Sequence, residues 1–213
     1  MAESSPIDVA GLILTGGSSR RMGFDKTQLS IEGIPLARRV ASALIGAADP
    51  VLEVGPGVTR LPTVSESPKG EGPLVAVVCG ARELRRRGHR GAVLVVASDL
   101  PFLRREGLFE LARWPVDGSV VPVVQGRAQP LCARWSIEDL EAGDALVERG
   151  ERTMRALVAE VHPLLLDVAS EMMVLSADQL VDLDTRRDVQ RLHDAAGFPG
   201  PGESDHSSVR SLR

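Results

Sequence analysis

Ala92-Val93-Leu94-Val95-Val96-Ala97-Ser98-Asp99 is six apolar residues in a row, stopped abruptly by a serine and an aspartate. A strand with one wet face alternates apolar and polar residues, so an unbroken apolar run predicts a parallel strand covered by helices on both faces. The Ser98-Asp99 pair then stands at the strand's carboxyl end, where open α/β sheets hold their ligands.

The neighbouring segments agree with this reading. Upstream, Gly72 to Arg87 has helical spacing, with Pro73 in the first turn and Gly88 after the end. Downstream, Leu103 to Trp114 reads as a helix. Earlier still, Gly11 to Leu14, preceded by Val9 and Ala10, is a short apolar run read as a buried strand feeding a glycine-rich loop that runs to about Lys26. Pro35 to Ala48 reads as a helix and Val51 to Gly55 as a strand. In the second half, Ser119 to Val124 and Leu131 to Trp135 read as strands, and Ile137 to Arg149 and Met154 to Glu160 as helices. Such alternation predicts an α/β fold of three layers, with a doubly wound, mostly parallel, Rossmann-like sheet.

At 213 residues the chain suits one domain, given about 100–200 residues per domain. The domain is assigned to residues 9–196, after a flexible segment 1–8. From Gly197 onward Gly, Pro and Ser dominate, and residues 197–213 are expected to be a disordered tail. Hydrophobic residues at 43% and charged residues at 25% fit a globular chain. No run approaches the roughly 18 apolar residues of a membrane span, and Met1 to Asp8 lacks a signal core, so the expectation is a cytoplasmic protein without a membrane partner.

A net charge of −4 argues against nucleic acid as a partner, because that affinity comes from a broad basic face. The dense basic run, Arg85 to Arg87 with Arg90, is read as a solvated helix end. Cys79 and Cys132 have neither disulfide nor zinc spacing and are read as small buried side chains.

The chemistry concentrates in Leu14-Thr15-Gly16-Gly17-Ser18-Ser19-Arg20-Arg21-Met22-Gly23-Phe24-Asp25-Lys26. Glycines here let backbone N–H groups approach phosphate oxygens, and Arg20, Arg21 and Lys26 can supply countercharge. The spacing is neither that of a Walker A loop nor of a G-x-G-x-x-G turn. On spacing alone, a glycine-rich turn with exposed cations remains the alternative.

This stretch resembles the LAGGxSxRMGxDK signature of the molybdenum cofactor guanylyltransferases, within the wider GlmU-like nucleotidyltransferase group. Thr15 in place of alanine is the one conservative change. The resemblance implies that the loop wraps a triphosphate, with Leu14, Thr15, Gly16, Gly17, Ser18, Arg20, Gly23 and Lys26 at the nucleotide. It extends to Gly72-Pro73-Leu74, similar to a segment beside the base, and to Asp99 with Pro101, similar to a magnesium-binding segment. A carboxylate at the end of a buried strand suits a hard cation. The competing reading makes Asp99 the cap of a helix beginning near Pro101.

Further along, Arg127, Gln129 and Pro130 resemble the family's acceptor-side segment, and Gly150 to Arg155 its basic turn, which would bring Arg127 and Arg152 to the acceptor's phosphate. An arginine in such places is as often a surface residue. Val181 to Asp188 resembles a segment with asparagines where this chain has Asp182 and Asp184. Asp184, or Asp182 in its stead, would be a second metal ligand, or Asp184 or Thr185 would cap the last helix.

The resemblance thus implies an enzyme that transfers GMP from GTP to molybdopterin with release of pyrophosphate, using Mg2+ and with Lys26, Arg21 and Asp99 as catalytic residues. It implies a monomer that docks transiently with molybdoenzyme maturation proteins. CMP transfer from CTP to the same pterin, nucleotidyl transfer to a sugar phosphate or another small phosphorylated acceptor, and a catalytically silent nucleotide-binding protein are the rivals. No histidine lies in any motif, which suits an acceptor phosphate that is largely dianionic at neutral pH.

Overall fold

The computed structural model describes residues 8–16, 30–31, 33–66 and 70–182. In chain order the elements are β1 (Val9–Leu14), β2 (Ser30–Ile31), β3 (Ile34–Pro35), α1 (Leu36–Ile45), β4 (Val51–Val54), β5 (Thr63–Val64) and α2 (Pro73–Arg86). There follow β6 (Ala92–Ala97), α3 (Arg105–Ala112), β7 (Val120–Val124), β8 (Arg127–Ala128), β9 (Cys132–Trp135), α4 (Ile137–Glu148), α5 (Met154–Val161), β10 (Leu164–Asp167) and α6 (Val168–Glu171).

The main sheet has eight strands in the order β10-β7-β9-β6-β1-β4-β5, with β8 paired to β7. β1 is parallel to β4 and β6, β4 to β5, and β7 to β10, whereas β9 runs against both β6 and β7. The unbroken apolar runs have the reason inferred from sequence. Val9 and Ile13 of β1, with Leu94 and Val96 of β6, pack among residues of α1 and α3. Ala10, Leu12 and Leu14, with Val93 and Val95, pack among residues of α2, α4 and α5. Each strand feeds two helical layers by simple alternation, so the fold is three-layered α/β with a mostly parallel sheet.

β6 has the bounds read from sequence, and the other expected elements are present with ends shifted by up to three residues, the largest shift being the end of α1 at Ile45 rather than Ala48. The sequence reading did not include β5, β8, β10, α6 or the β2–β3 pair. β10 shows why: Leu164 and Leu165 are exposed at a sheet edge and only Leu166 is buried, so no periodicity marks it. Its pairing with β7 comes from far away in the chain.

Three expectations need correction. The basic run is not uniformly solvated, because Arg85, with its side chain 19% exposed, bridges α2 to Glu141 at 3.2 Å and Asp144 at 2.9 Å on α4. Asp8, placed in the flexible start, has its carbonyl accepting from the Ala92 N–H at 3.1 Å and its carboxylate 3.1 Å from Nδ1 of the buried His89. Cys132 is buried, its thiol pushed up to about 12 by desolvation, but Cys79 is only half-buried. Segments 1–7, 17–29 and 183–213, including the expected tail, lie outside the described residues. Among the described residues no helix is long and apolar enough to cross a membrane.

Candidate active site

Strand register gathers the site. Leu14 of β1 lies opposite Val54 of β4 on one side and Ala97 of β6 on the other, so three carboxyl ends are level. The next residues continue the lock: the Thr15 N–H donates to the Val54 carbonyl at 3.0 Å, and the Ser98 N–H to the Leu14 carbonyl at 3.1 Å. Thr15-Gly16, Gly55 and Ser98-Asp99 therefore share one end of the sheet.

Gly55 must be glycine there. Its φ is +153°, and a Cβ would sit 2.8 Å from the Gly16 nitrogen while colliding with the Thr15 hydroxyl. The backbone at the mouth of the loop is consequently packed as closely as backbone can be. A side chain on Gly16 would meet the end of the Glu66 side chain, which can move aside, rather than backbone.

The amino end of α2 arrives at the same end of the sheet. Gly72 precedes it with φ +111°, and a Cβ there would lie 2.7 Å from the Arg152 carbonyl oxygen. That oxygen accepts from the Leu74 N–H at 3.2 Å, and Leu74 is buried with Leu14 and Val54. Pro73 fits the first turn because the first N–H groups of a helix have no partner within it. The positive end of a helix dipole favours anions.

Asp99 lies in the turn after β6 and is half-buried. It does not cap α3, which begins only at Arg105 and is preceded by Arg104. The turn at Gln125 and Gly126, both at positive φ, folds β8 back onto β7 and presents an exposed Arg127. Gln129 and Pro130 lie in the connection to β9: the Gln129 N–H donates to the Pro122 carbonyl at 2.8 Å, and the Pro130 carbonyl accepts from Trp135 Nε1 at 3.1 Å.

Arg152 is held differently from Arg127. Its guanidinium donates to Glu71 at 3.1 Å and to the Val147 and Glu151 carbonyls at 3.0 and 2.9 Å, tying the turn between α4 and α5 to the start of α2. Asp182 is exposed just beyond a short 3-10 turn at Ala177–Leu180. Gly17, Ser18, Arg20, Arg21, Gly23, Lys26 and Asp184 lie outside the described residues.

Two acidic residues at this end were not singled out from sequence, Glu66 against Gly16 and Glu53 in β4. Glu53 is fully buried. Its Oε1 accepts from the Thr15 hydroxyl at 2.5 Å and from the Gly57 and Val58 N–H groups at 2.7 and 2.8 Å. Its Oε2 accepts from the Thr59 N–H at 2.8 Å and the Thr59 hydroxyl at 2.5 Å. Burial alone would raise its pKa, but the hydrogen bonds from Thr15, Thr59 and Val58 outweigh it and hold the carboxyl below its ordinary value. The available signal was a lone glutamate inside the otherwise apolar Val51-Leu52-Glu53-Val54.

A family model described as a MobA-like NTP transferase domain matches residues 11–164. The chain belongs to the MobA-like NTP transferase family. A probable molybdenum cofactor guanylyltransferase of Mycobacterium tuberculosis is 34% identical over 94% of this chain and 98% of the relative. One of the same name from Mycolicibacterium paratuberculosis is 30% identical over 92% and 99%. Among solved structures, molybdopterin-guanine dinucleotide biosynthesis protein A of Archaeoglobus fulgidus has a TM-score of 0.72 at 18% identity, covering 88% of this chain and 98% of that one. The family and the fold agree with the resemblance drawn from the glycine-rich loop.

Proposed function

We propose that this chain transfers GMP from GTP to the terminal phosphate of molybdopterin, releasing pyrophosphate. The observation that carries the reading is the convergence of Thr15-Gly16, the amino end of α2 and Asp99 on one end of the sheet. It offers a positive helix end and a carboxylate to one triphosphate, with the glycine-rich segment after Gly16 as the source of backbone N–H groups. The names of the relatives at 34% and 30% identity supply the guanine and the pterin.

The donor set fits magnesium. This cation is commonly held by one or two carboxylates together with substrate phosphates and water, and Asp99 is such a carboxylate at the right strand end, with Asp184 or Asp182 as the second. When bound, magnesium would neutralise charge on the phosphates. The residues do the rest: loop N–H groups and Lys26, with Arg20 and Arg21, bind and orient the triphosphate so that the α-phosphorus faces the acceptor oxygen in line. An acceptor phosphate monoester, with its second pKa near ~6, is dianionic at neutral pH and needs no strong general base. Arg127, Gln129 and Pro130 stand on the acceptor side.

A cytoplasmic, monomeric chain that docks transiently with molybdoenzyme maturation proteins belongs to the same proposal. The test is magnesium-dependent pyrophosphate release with GTP or CTP, with and without molybdopterin. Release that requires both GTP and the pterin is the expected result. A preference for CTP, or release independent of the pterin, would overturn it.

A further inference from the structure

Glu53 is a full negative charge buried beside a loop that has to receive a triphosphate. An uncompensated carboxylate in that position would repel the ligand and cost several kcal/mol by itself. Here five donors surround it, two hydroxyls and three backbone N–H groups. They come from two segments that leave neighbouring strands at the site: Thr15 from β1, and Gly57 to Thr59 from the connection between β4 and β5. The Thr15 hydroxyl is turned inward to the carboxylate, and Thr15 is 8% exposed. Its peptide leads directly into Gly16, against which Gly55 is packed too closely to admit a Cβ.

Resting on the GTP-dependent reading above, we infer that Glu53 is a positioning residue for nucleotide binding. It fixes Thr15 and the 57–59 turn in one assembly and so sets the direction in which the glycine-rich loop leaves β1. Glu53 makes no contact with nucleotide in this role; it acts through Thr15 and Thr59. Thr15, the departure from alanine in the family signature, is the residue whose added hydroxyl this carboxylate receives. A hydrogen bond to a charged acceptor is stronger than a neutral one and holds direction better.

The test compares Glu53→Gln, Thr59→Val and Thr59→Ser with the full-length parent, reading thermal melting, the KM for GTP and kcat at saturating pterin. Gln presents an amide donor to neighbours that are themselves donors, so Glu53→Gln raises the GTP KM by at least about 10-fold. Thr59→Val removes one hydroxyl from the Glu53 carboxylate and raises the GTP KM about 3-fold with kcat little changed, and Thr59→Ser returns it to within 2-fold of the parent. A role confined to stability would lower the melting temperature of Thr59→Val while leaving its GTP KM within 2-fold, and that result overturns the inference even where Glu53→Gln fails to fold. A parent chain that turns over no GTP would overturn the functional reading itself, which separates the two failures.

Discussion

Two charged side chains are buried at opposite ends of the central sheet. At the carboxyl ends of the parallel strands, Glu53 collects donors. At the other end, Arg134 of β9, 5% exposed, collects acceptors. Its Nη1 donates to the Ala112 and Trp114 carbonyls at 3.3 and 2.8 Å, and its Nη2 to the Val116 and Gly118 carbonyls at 2.6 and 2.9 Å. Both tie down the backbone of a connection between elements. They differ in what lies beyond the frozen connection. Beyond Thr15 comes the glycine-rich loop, whereas the segment held by Arg134 merely carries the chain from α3 into β7. Burial of a charge is therefore a device of the fold, and only its place at the strands' carboxyl ends makes it a device of the site.

The sharpest way to break this comparison is Arg134→Leu. Four carbonyls lose a donor, though the Trp114 carbonyl keeps the Val116 N–H at 2.8 Å; at about 1–3 kcal/mol for each group left unsatisfied, a net loss of about 3–5 kcal/mol in chemical unfolding is expected. The GTP KM of whatever remains folded should match the parent; a raised KM would erase the contrast with Glu53. Next come Lys26→Ala and Asp99→Ala, each expected to lower kcat at least ~100-fold with an unchanged melting curve, the scale for losing one contact to the transition state. Near-normal turnover in either variant contradicts the site.

Acid titration sharpens the comparison further. The folded Glu53 carboxyl lies below its ordinary value of 4.5, so the stability it contributes is complete above that value and drains away as the pH falls through the folded pKa. Melts of the parent and of Glu53→Gln should therefore converge as the pH is lowered below 4.5, and a gap that stays constant would deny the ionised network. The smallest effect is at Ser136, whose hydroxyl accepts from the Asp139 N–H at 3.1 Å at the start of α4. Ser136→Ala should cost about 1 kcal/mol, read by denaturant melts, with no change in turnover.

The difference between the two ends also explains what was legible in the sequence. The central strands β1 and β6 announce themselves, because they are buried on both faces and apolar throughout, and β4 does so apart from Glu53. Thr15, Gly16, Gly72 and Asp99 were legible because the glycines and the carboxylate fall where strands and helix meet, and the structure brings them to one end. Glu53, Glu66 and Arg134 were not, since their partners are backbone groups and side chains brought close only by the folded connections. β10 escaped for the same reason, its strand character resting on pairing with β7 rather than on its own pattern. Arg152 was legible as a cation but not as a clamp, because its acceptors include the Val147 and Glu151 carbonyls and the Glu71 carboxylate, which no motif encodes.

The central claim is that the α-phosphorus is transferred. Incubation of the chain with magnesium, molybdopterin and GTP labelled either at the α- or at the γ-phosphate tests it most directly. GMP transfer puts the α-label on the pterin as a guanine dinucleotide and releases the γ-label as pyrophosphate. A γ-label on the pterin, or α-label confined to free guanine nucleotides, would contradict it.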